Sequence, residues 1–116
     1  MRVVIAGTRN YSDYEMAKRH INDCLLMGED TVIVSGGCNG ADKLGERYAE
    51  EHDLLIERHP ANWQKYGKRA GIVRNKEMAE TADLVICFWD GKSKGTKHMI
   101  ECAKRLNKTV KIIMIT

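Results

Sequence analysis

The sequence lacks any apolar run that approaches the roughly 20 residues needed to span a bilayer. Residues 1–7 are too few for a secretory signal and are predicted to form a first strand. We therefore expect no membrane partner and a cytoplasmic location. A length of 116 residues suits one domain with one core, and no linker, repeat or low-complexity segment divides the chain. Residues 1–116 are thus predicted to form a single domain.

The cysteines show no metal-binding or disulfide spacing. Cys24, Cys38, Cys87 and Cys102 form no C-x-x-C pair and have no histidine at zinc-ligand spacing. We expect free thiols, no metal site and no cofactor. Three of them fall on apolar faces, where a cysteine usually acts as a small buried hydrophobe. Cys38 instead lies in a glycine-rich turn, where its reactivity could bear on function.

Standard nucleotide-binding and hydrolase signatures are also missing. The first glycine-rich turn reads G-G-x-x-G rather than G-x-G-x-x-G, and no Walker lysine follows Gly40, which argues against a motor or a dehydrogenase. Residues 91–95 do match the nucleophile elbow G-x-S-x-G. An elbow serine, however, needs an acid and then a histidine later in the chain, and the only later one, His98, lies one helical turn away. We interpret Ser93 as a phosphate-binding hydroxyl.

What the sequence does contain is two glycine-rich turns, residues 35–42 and 90–96. Each follows an apolar run and opens a helical pattern. Helix starts leave backbone N–H groups unpaired, glycine lets the chain approach a ligand closely, and the helix dipole favours an anion there. The turns therefore predict a binding site for a phosphorylated small molecule.

Apolar runs and helical patterns alternate along the chain. Short apolar runs bounded by turn residues predict buried strands at 3–6, 31–34, 54–56, 84–88 and 110–115. Right-handed crossovers then give a doubly wound, Rossmann-like α/β fold with a parallel five-stranded sheet in the order 3-2-1-4-5. Ligands bind such a sheet beyond the carboxyl ends of the strands, where the first and fourth strands are neighbours.

Four helices are predicted between these strands. A capping box at Ser12 to Glu15 starts the first and Gly28 stops it, with Ala17, Ile21, Cys24 and Leu25 on the apolar stripe. The others run over about 41–52, 69–82 and 95–106. Their predicted buried faces are Ala41, Leu44, Gly45, Tyr48 and Ala49; Ile72, Val73, Met78, Ala79 and Ala82; and Met99, Ile100, Ala103 and Leu106.

Positive charge is concentrated near the predicted site. The net charge is only +3, but residues 58–76 contain no acid and residues 91–98 add three lysines. Clustering beside the glycine turns favours an anion site over ordinary solvated lysines. Loops 7–9, 36–42 and 89–96 should meet at this edge, and residues 59–68 form a loop that could cover them as a lid.

Each predicted contact has an alternative. Arg9 and Arg74 would hold phosphate in bidentate fashion or form structural salt bridges. Asp42 would accept from a ribose diol or serve the first helical turn. Trp63 would stack on a base or pack in the core, Trp89 would form the pocket wall, and Thr96 would cap its helix or contact phosphate. The predicted ligand-binding residues are Gly7, Thr8, Arg9, Gly36, Gly37, Gly40, Asp42, Trp63, Arg74, Asn75, Trp89, Gly91, Ser93, Gly95 and Thr96.

Five motifs in order resemble the YspA type of the SLOG superfamily, whose other branches include the DprA and lonely-guy proteins. They are Gly7-Thr8-Arg9, Ser35-Gly36-Gly37-x-x-Gly40-Ala41-Asp42, Pro60-Ala61-x-Trp63, Gly67-Lys68-x-Ala70-Gly71-x-x-Arg74-Asn75-x-x-Met78 and Phe88-Trp89-Asp90-Gly91-x-Ser93-x-Gly95-Thr96. The resemblance covers nearly the whole chain. It implies a Rossmann-like fold that binds or senses a nucleotide or a nucleotide-derived ligand.

The resemblance also implies an enzymatic alternative, because lonely-guy proteins hydrolyse the N-glycosidic bond of nucleoside monophosphates. Those enzymes keep a glutamate three residues after the glycine-threonine pair, where this chain has Met99. Asp42, Asp90 or Glu101 would have to supply the carboxylate beside Arg74, so we favour a sensor over an enzyme. Single-stranded nucleic-acid binding, suggested by the DprA branch and by the basic loop with Trp63 and Tyr66, is the less favoured partner. A homodimer is left open.

Overall fold

The computed structural model describes residues 1–25 and 30–115, which form a five-stranded, all-parallel sheet. The strand order β3-β2-β1-β4-β5 confirms the predicted topology. The strands are β1 (Arg2–Gly7), β2 (Val32–Ser35), β3 (Leu55–Arg58), β4 (Leu84–Trp89) and β5 (Thr109–Met114). Residues Val3 to Gly7 of β1 pair in register with Leu84 to Phe88 of β4. The switch point, and with it the expected ligand edge, therefore lies between β1 and β4.

Helices cover both faces of this sheet. The helices are α1 (Tyr14–Cys24), α2 (Ala41–Glu51), the short α3 (Trp63–Tyr66), α4 (Ala70–Thr81) and α5 (Lys94–Arg105). Alternate residues of β1 face opposite sides: Val3 and Ile5 pack with α1 and α2, whereas Val4 and Ala6 pack with α4 and α5. The central strand is thus buried on both faces. No helix within residues 1–25 and 30–115 is long and apolar enough to cross a bilayer.

Close contact between α2 and the sheet depends on Gly45. A Cβ at this position would lie 2.6 Å from Cβ of Ile5, which is far inside normal contact distance. The predicted role of Gly45 on the buried stripe of α2 is confirmed. Because this contact fixes the height of α2 above β1, it also fixes where the first turn of α2 meets the ligand edge.

The outer elements differ from their predictions. The patterns 54–56 and 110–115 predict buried strands, but β3 and β5 are the two edge strands, with Leu55, Ile112 and Met114 exposed. Ile72 and Leu106 are likewise exposed rather than on buried helix faces, since neither strand nor helix covers them. These positions were predicted to be buried because apolar periodicity alone does not show where a sheet ends.

Two local features near the helix starts also differ. Asp13, not Ser12, caps α1, because its Oδ1 accepts from the backbone N–H of Met16 at 3.1 Å. Residues 59–68, predicted to be loop, contain α3 and a 3₁₀ turn at Gly67–Arg69 that leads directly into α4. Gly28, the predicted stop of the first helix, lies outside the described residues.

Candidate functional site

A cavity of about 240 Å³ opens at the carboxyl edge of the sheet, beside the β1–β4 switch point. The amino-terminal turns of α2 and α5 both face it, so two helix dipoles converge there. It is lined by Ala6, Gly7, Arg9, Cys38, Asp42, Arg74, Asn75, Met78, Ser93, Gly95, Thr96 and Met99. The loops predicted to meet at this edge therefore do meet, and α4 contributes a third wall.

Arg74 reaches from α4 to the first glycine turn. Its Nη1 donates to the carbonyl oxygen of Gly36 at 2.8 Å, and its Nε donates to Oδ1 of Asn75 at 3.1 Å. Among the described residues, neither Arg74 nor Arg9 forms an ion pair with a carboxylate. The salt-bridge alternative is thus absent there, and both arginines line the cavity, where their charges act on the Asp42 carboxyl without forming an ion pair with it.

Gly36 fits between two charged groups. A Cβ at this position would lie 2.7 Å from Nη1 of Arg74 and 2.9 Å from Oδ2 of Asp42. A side chain at residue 36 would therefore have to displace the guanidinium or the carboxylate. Both Arg74 and Asp42 line the cavity next to this glycine.

Asp42 is the only carboxylate that lines the cavity among the described residues, and it is 5% exposed. Burial raises the pKa of Asp42 to about 6, although the Cys38 N–H, which donates to Oδ2 at 3.2 Å, and the Arg74 charge oppose this shift. Burying an ionised carboxylate away from water costs free energy, and the fold does not need a carboxylate at this position. A carboxyl group held in this state in a cavity is a candidate functional group.

A second buried carboxylate, Glu46, supports the first glycine turn through hydrogen bonds. Ser35 Oγ donates to Oε2 of Glu46 at 2.7 Å and accepts from the Gly37 N–H at 3.0 Å, while Arg58 donates twice to Oε1. Burial would raise the pKa of Glu46, but these hydrogen bonds lower it below its usual value. Sequence reasoning missed this residue. The available signal was its place one helical turn after Asp42, on the same face of α2.

The loop after β1 connects the two glycine turns. Thr8 is buried: its carbonyl oxygen accepts from the Ala41 N–H at 3.3 Å, and its Oγ1 accepts from the Asp90 N–H at 3.2 Å. A Cβ on Gly40, whose φ is +83°, would lie 2.3 Å from that carbonyl oxygen. Thr8 and Gly40 therefore set the distance between the turns and do not line the cavity themselves.

The second turn is held by its own side chains. Oδ1 of Asp90 accepts from the N–H groups of Lys92 and Ser93, both at 2.8 Å, and these bonds hold the pKa of Asp90 below its usual value. Ser93 Oγ accepts from the Thr96 N–H at 3.4 Å and so caps α5. The cap is thus Ser93 and not Thr96, which was the residue predicted as a possible cap, and both residues line the cavity. Trp89 Nε1 donates to the Ser93 carbonyl oxygen at 3.0 Å and supports the turn from outside.

Asn75 joins Arg74 to the start of α5. Its Oδ1 accepts from Arg74, while its Nδ2 donates to the carbonyl oxygen of Gly95 and lies 3.3 Å from Nδ1 of His98. The amide is nearly buried, so these bonds fix the orientation of the guanidinium. Asn75 therefore positions Arg74 between the two turns.

The structure brings together eight of the predicted ligand-binding residues in the cavity wall: Gly7, Arg9, Asp42, Arg74, Asn75, Ser93, Gly95 and Thr96. Gly36, Gly37, Gly40 and Gly91 shape the turns behind that wall. Trp89 packs against the core beneath α4 and α5 rather than in the cavity. Trp63 is 57% exposed, which contradicts core packing, and it lies on α3 outside the cavity.

The remaining reactive groups of the sequence lie elsewhere. Glu101 is on the solvent side of α5, 4.0 Å from Nζ of Lys97, and does not face the cavity. All four cysteines are free; Cys87 and Cys102 are buried, and Cys38 Sγ lies 3.7 Å from Nη2 of Arg74 in the cavity wall. Among the described residues, no three His, Cys, Asp or Glu side chains form a group that could hold a metal ion.

The fold defines a Rossmann-like α/β protein with its site at the switch point, and solved structures share this architecture. The X-ray structure of TM1055 superposes with a TM-score of 0.67 at 18% identity, covering 94% of this chain and 71% of that one. DNA processing protein A from Helicobacter pylori, whose structure is described as showing a single-stranded DNA binding mode, also gives 0.67 at 19% identity. That match covers all of this chain and 66% of the other.

Sequence comparison identifies the family. The sequence model of the YspA, cpYpsA-related SLOG family matches residues 1–66, which include the loop after β1 and the first glycine turn. The Gene 61 protein of Mycobacterium phage D29 is 35% identical over 111 residues, covering 90% of this chain and 89% of the relative. The chain belongs to the YspA, cpYpsA-related SLOG family, and the resemblance found from its motifs is confirmed.

Proposed function

We propose that the cavity binds the phosphate of a nucleotide or a nucleotide-derived small molecule, and that the domain acts as a binding or sensing module. The observation that carries this proposal is the placement of Arg74. It is held by Gly36 and Asn75, forms no ion pair with a carboxylate among the described residues, and lies between the amino-terminal turns of two helices. A guanidinium and helix N-termini directed at one cavity favour a phosphate.

Asp42 supports a nucleotide over a simple phosphate. Above its pKa of about 6 the carboxylate is ionised and accepts hydrogen bonds only, so it would repel phosphate but would accept from the two hydroxyl groups of a ribose. In this arrangement the phosphate contacts Arg74 and Arg9 while the sugar contacts Asp42.

A thermal-shift screen over nucleoside monophosphates, cyclic nucleotides and ADP-ribose-like compounds tests the proposal. We expect at least one of them to raise the melting temperature of the wild-type domain. Arg74→Ala should abolish the shift, and Arg74→Lys should restore it only in part, because lysine does not form the bidentate contact. If no compound stabilises the wild type, or if Arg74→Ala responds as the wild type does, the proposal fails.

Hydrolysis of the N-glycosidic bond is a second candidate, favoured by one observation. A carboxyl group with a pKa of about 6 is suited to protonate a leaving base near neutral pH. However, Met99 lines the cavity where a second carboxylate would be needed, and Glu101 faces solvent. Incubation with nucleoside monophosphates distinguishes a binding module from a hydrolase. Sustained release of free base by the wild type, abolished by Arg74→Ala and by Asp42→Asn, would show that the protein is an enzyme and not only a sensor.

A further inference from the structure

Two further cavities lie along α3, beside the candidate cavity. One, of about 200 Å³, shares Arg74 with the candidate cavity, and the other, of about 420 Å³, shares Pro60 and Asn62 with the first of the two. The larger one lies against Trp63. The residues that line these two neighbouring cavities, hereafter the α3 trough, extend from Arg74 to Trp63.

Two aromatic rings are presented along this trough. Trp63 is 57% and Tyr66 is 37% exposed, although both are large side chains that folding normally covers. The far edge of the indole, at Cη2, lies 4.0 Å from where a Cβ of Gly71 would be, so the ring rests on the first turn of α4. Asn62 caps α3 by accepting from the Lys65 N–H at 3.0 Å, which fixes the helix that carries both rings.

The charge of the trough is complementary to a polyanion. Residues 58–76 contain no acid, and Lys65, Lys68 and Arg69 form no ion pair among the described residues. Nζ of Lys65 lies 5.1 Å from the centre of the Tyr66 ring, so charge and aromatic surface are adjacent. Glu77, on the far wall, is the one acid that lines the trough among the described residues.

We propose that the α3 trough extends the candidate site to take a single-stranded oligonucleotide, with a phosphate at Arg74, a base stacked on Trp63 and an intervening phosphate near Lys65. Lys68 and Arg69 do not line the trough but follow α3 directly in the chain and add positive charge to this segment. A positively charged groove with exposed aromatic rings is the arrangement that binds single strands with little sequence preference. This inference rests on the proposed function, since the trough begins at the same Arg74. It differs in stating that the ligand is longer than one nucleotide.

Titration calorimetry with uridine 5′-monophosphate and with 5′-phosphorylated oligouridylates of two, four and six nucleotides tests the inference, because these probes keep the ribose that Asp42 is proposed to contact. We expect affinity to rise with length, and Trp63→Ala to weaken the hexamer on the order of tenfold while leaving the monophosphate unchanged. Leu106→Ala removes another exposed apolar side chain, away from the trough, and should change neither. The hexamer should also show a steeper dependence on salt than the monophosphate.

The outcomes separate the two proposals. If the monophosphate binds and longer strands bind no more tightly, the extension is wrong and the small-molecule site stands. Equal effects of Trp63→Ala and Leu106→Ala on the hexamer would also overturn the extension. If no uridine nucleotide of any length binds while the thermal-shift screen finds another nucleotide, only the extension fails. If neither experiment detects binding, both proposals fail.

Discussion

The two glycine-rich turns that form the candidate site are stabilised in different ways. The turn after β2 depends on distant residues, because Arg74 bonds Gly36, Glu46 supports Ser35 and Thr8 fixes the position of Ala41. The turn after β4 is held mainly by its own residues. Asp90 accepts from the N–H groups of Lys92 and Ser93, and Ser93 caps the helix that follows. The first is a product of tertiary structure, whereas the second is largely local.

This difference divides the roles of the turns. The first carries buried charge: the carboxyl of Asp42 and the guanidinium of Arg74 flank Gly36, and both side chains are fixed from several elements. The second offers backbone and hydroxyl groups at the start of α5, with open space around Gly95. Under the proposed function, selectivity for the ligand would reside in the first turn and the second would supply general anion binding.

The largest expected effect is at Gly40 of the first turn. Gly40→Ala introduces a Cβ 2.3 Å from the Thr8 carbonyl oxygen at a φ of +83°, which only glycine adopts without strain. We expect the free energy of unfolding to fall by on the order of 3 kcal/mol or more. Urea denaturation monitored by circular dichroism measures it. A loss below about 1 kcal/mol would show that the first turn is not fixed against β1 as described.

The next effect concerns the buried carboxyl of Asp42. Its pKa is raised in the folded state from 3.8 to about 6, so folding penalises the ionised form. The penalty is absent below pH 3.8, grows between pH 3.8 and 6, and is complete above pH 6. Asp42→Asn should therefore stabilise the protein at pH 8, by about 3 kcal/mol at most, and should give little gain at pH 4.

Denaturation of both proteins across this pH range measures the change, and Glu46→Gln is the matched control on the same helix. Because the pKa of Glu46 is lowered, its carboxylate stabilises the fold above pH 4.5, and its replacement should cost about 1–2 kcal/mol at pH 8. If both variants shift stability in the same direction at pH 8, the contrast drawn between the two carboxylates is wrong.

The smallest effect is expected at Gly95 of the second turn. A Cβ there would meet nothing within 4 Å, and alanine favours a helix over glycine, so Gly95→Ala should raise the free energy of unfolding by about 0.5 kcal/mol. Gly95 also lines the cavity, so the same variant should weaken phosphate binding by limiting backbone approach. Destabilisation would mean that the second turn is as tightly constrained as the first.

Much of the fold could be predicted from the sequence because the signals were local. Short apolar runs placed all five strands within two residues of their observed ends, and right-handed crossovers then dictated the strand order. The Asp90–Ser93 turn and the start of α5 follow from residues close in sequence. The same reasoning misjudged β5 and Ile72, because exposure at a sheet edge or on an outer helix face depends on what else covers them.

The candidate site was predictable in its parts and less so in its connections. Arg74 and Asp42 were recognised by residue type, but the bond to Gly36, 38 residues away, exists only in the folded chain. Glu46 was missed because an acid on a helix usually faces water, and only Ser35 and Arg58 explain its burial. Residues 59–68 lack the periodicity of a longer helix, so α3 was not predicted, although stacking of Trp63 and Tyr66 on a base was one of the alternatives drawn from the sequence.

If the two turns and Arg74 form one anion site, an amide chemical-shift titration will show both turns responding to one ligand. On adding the nucleotide that gives the largest thermal shift, we expect the largest changes at Gly36, Gly37, Gly95 and Thr96, with both turns saturating at one dissociation constant. Changes confined to one turn, or centred away from the cavity, would contradict it.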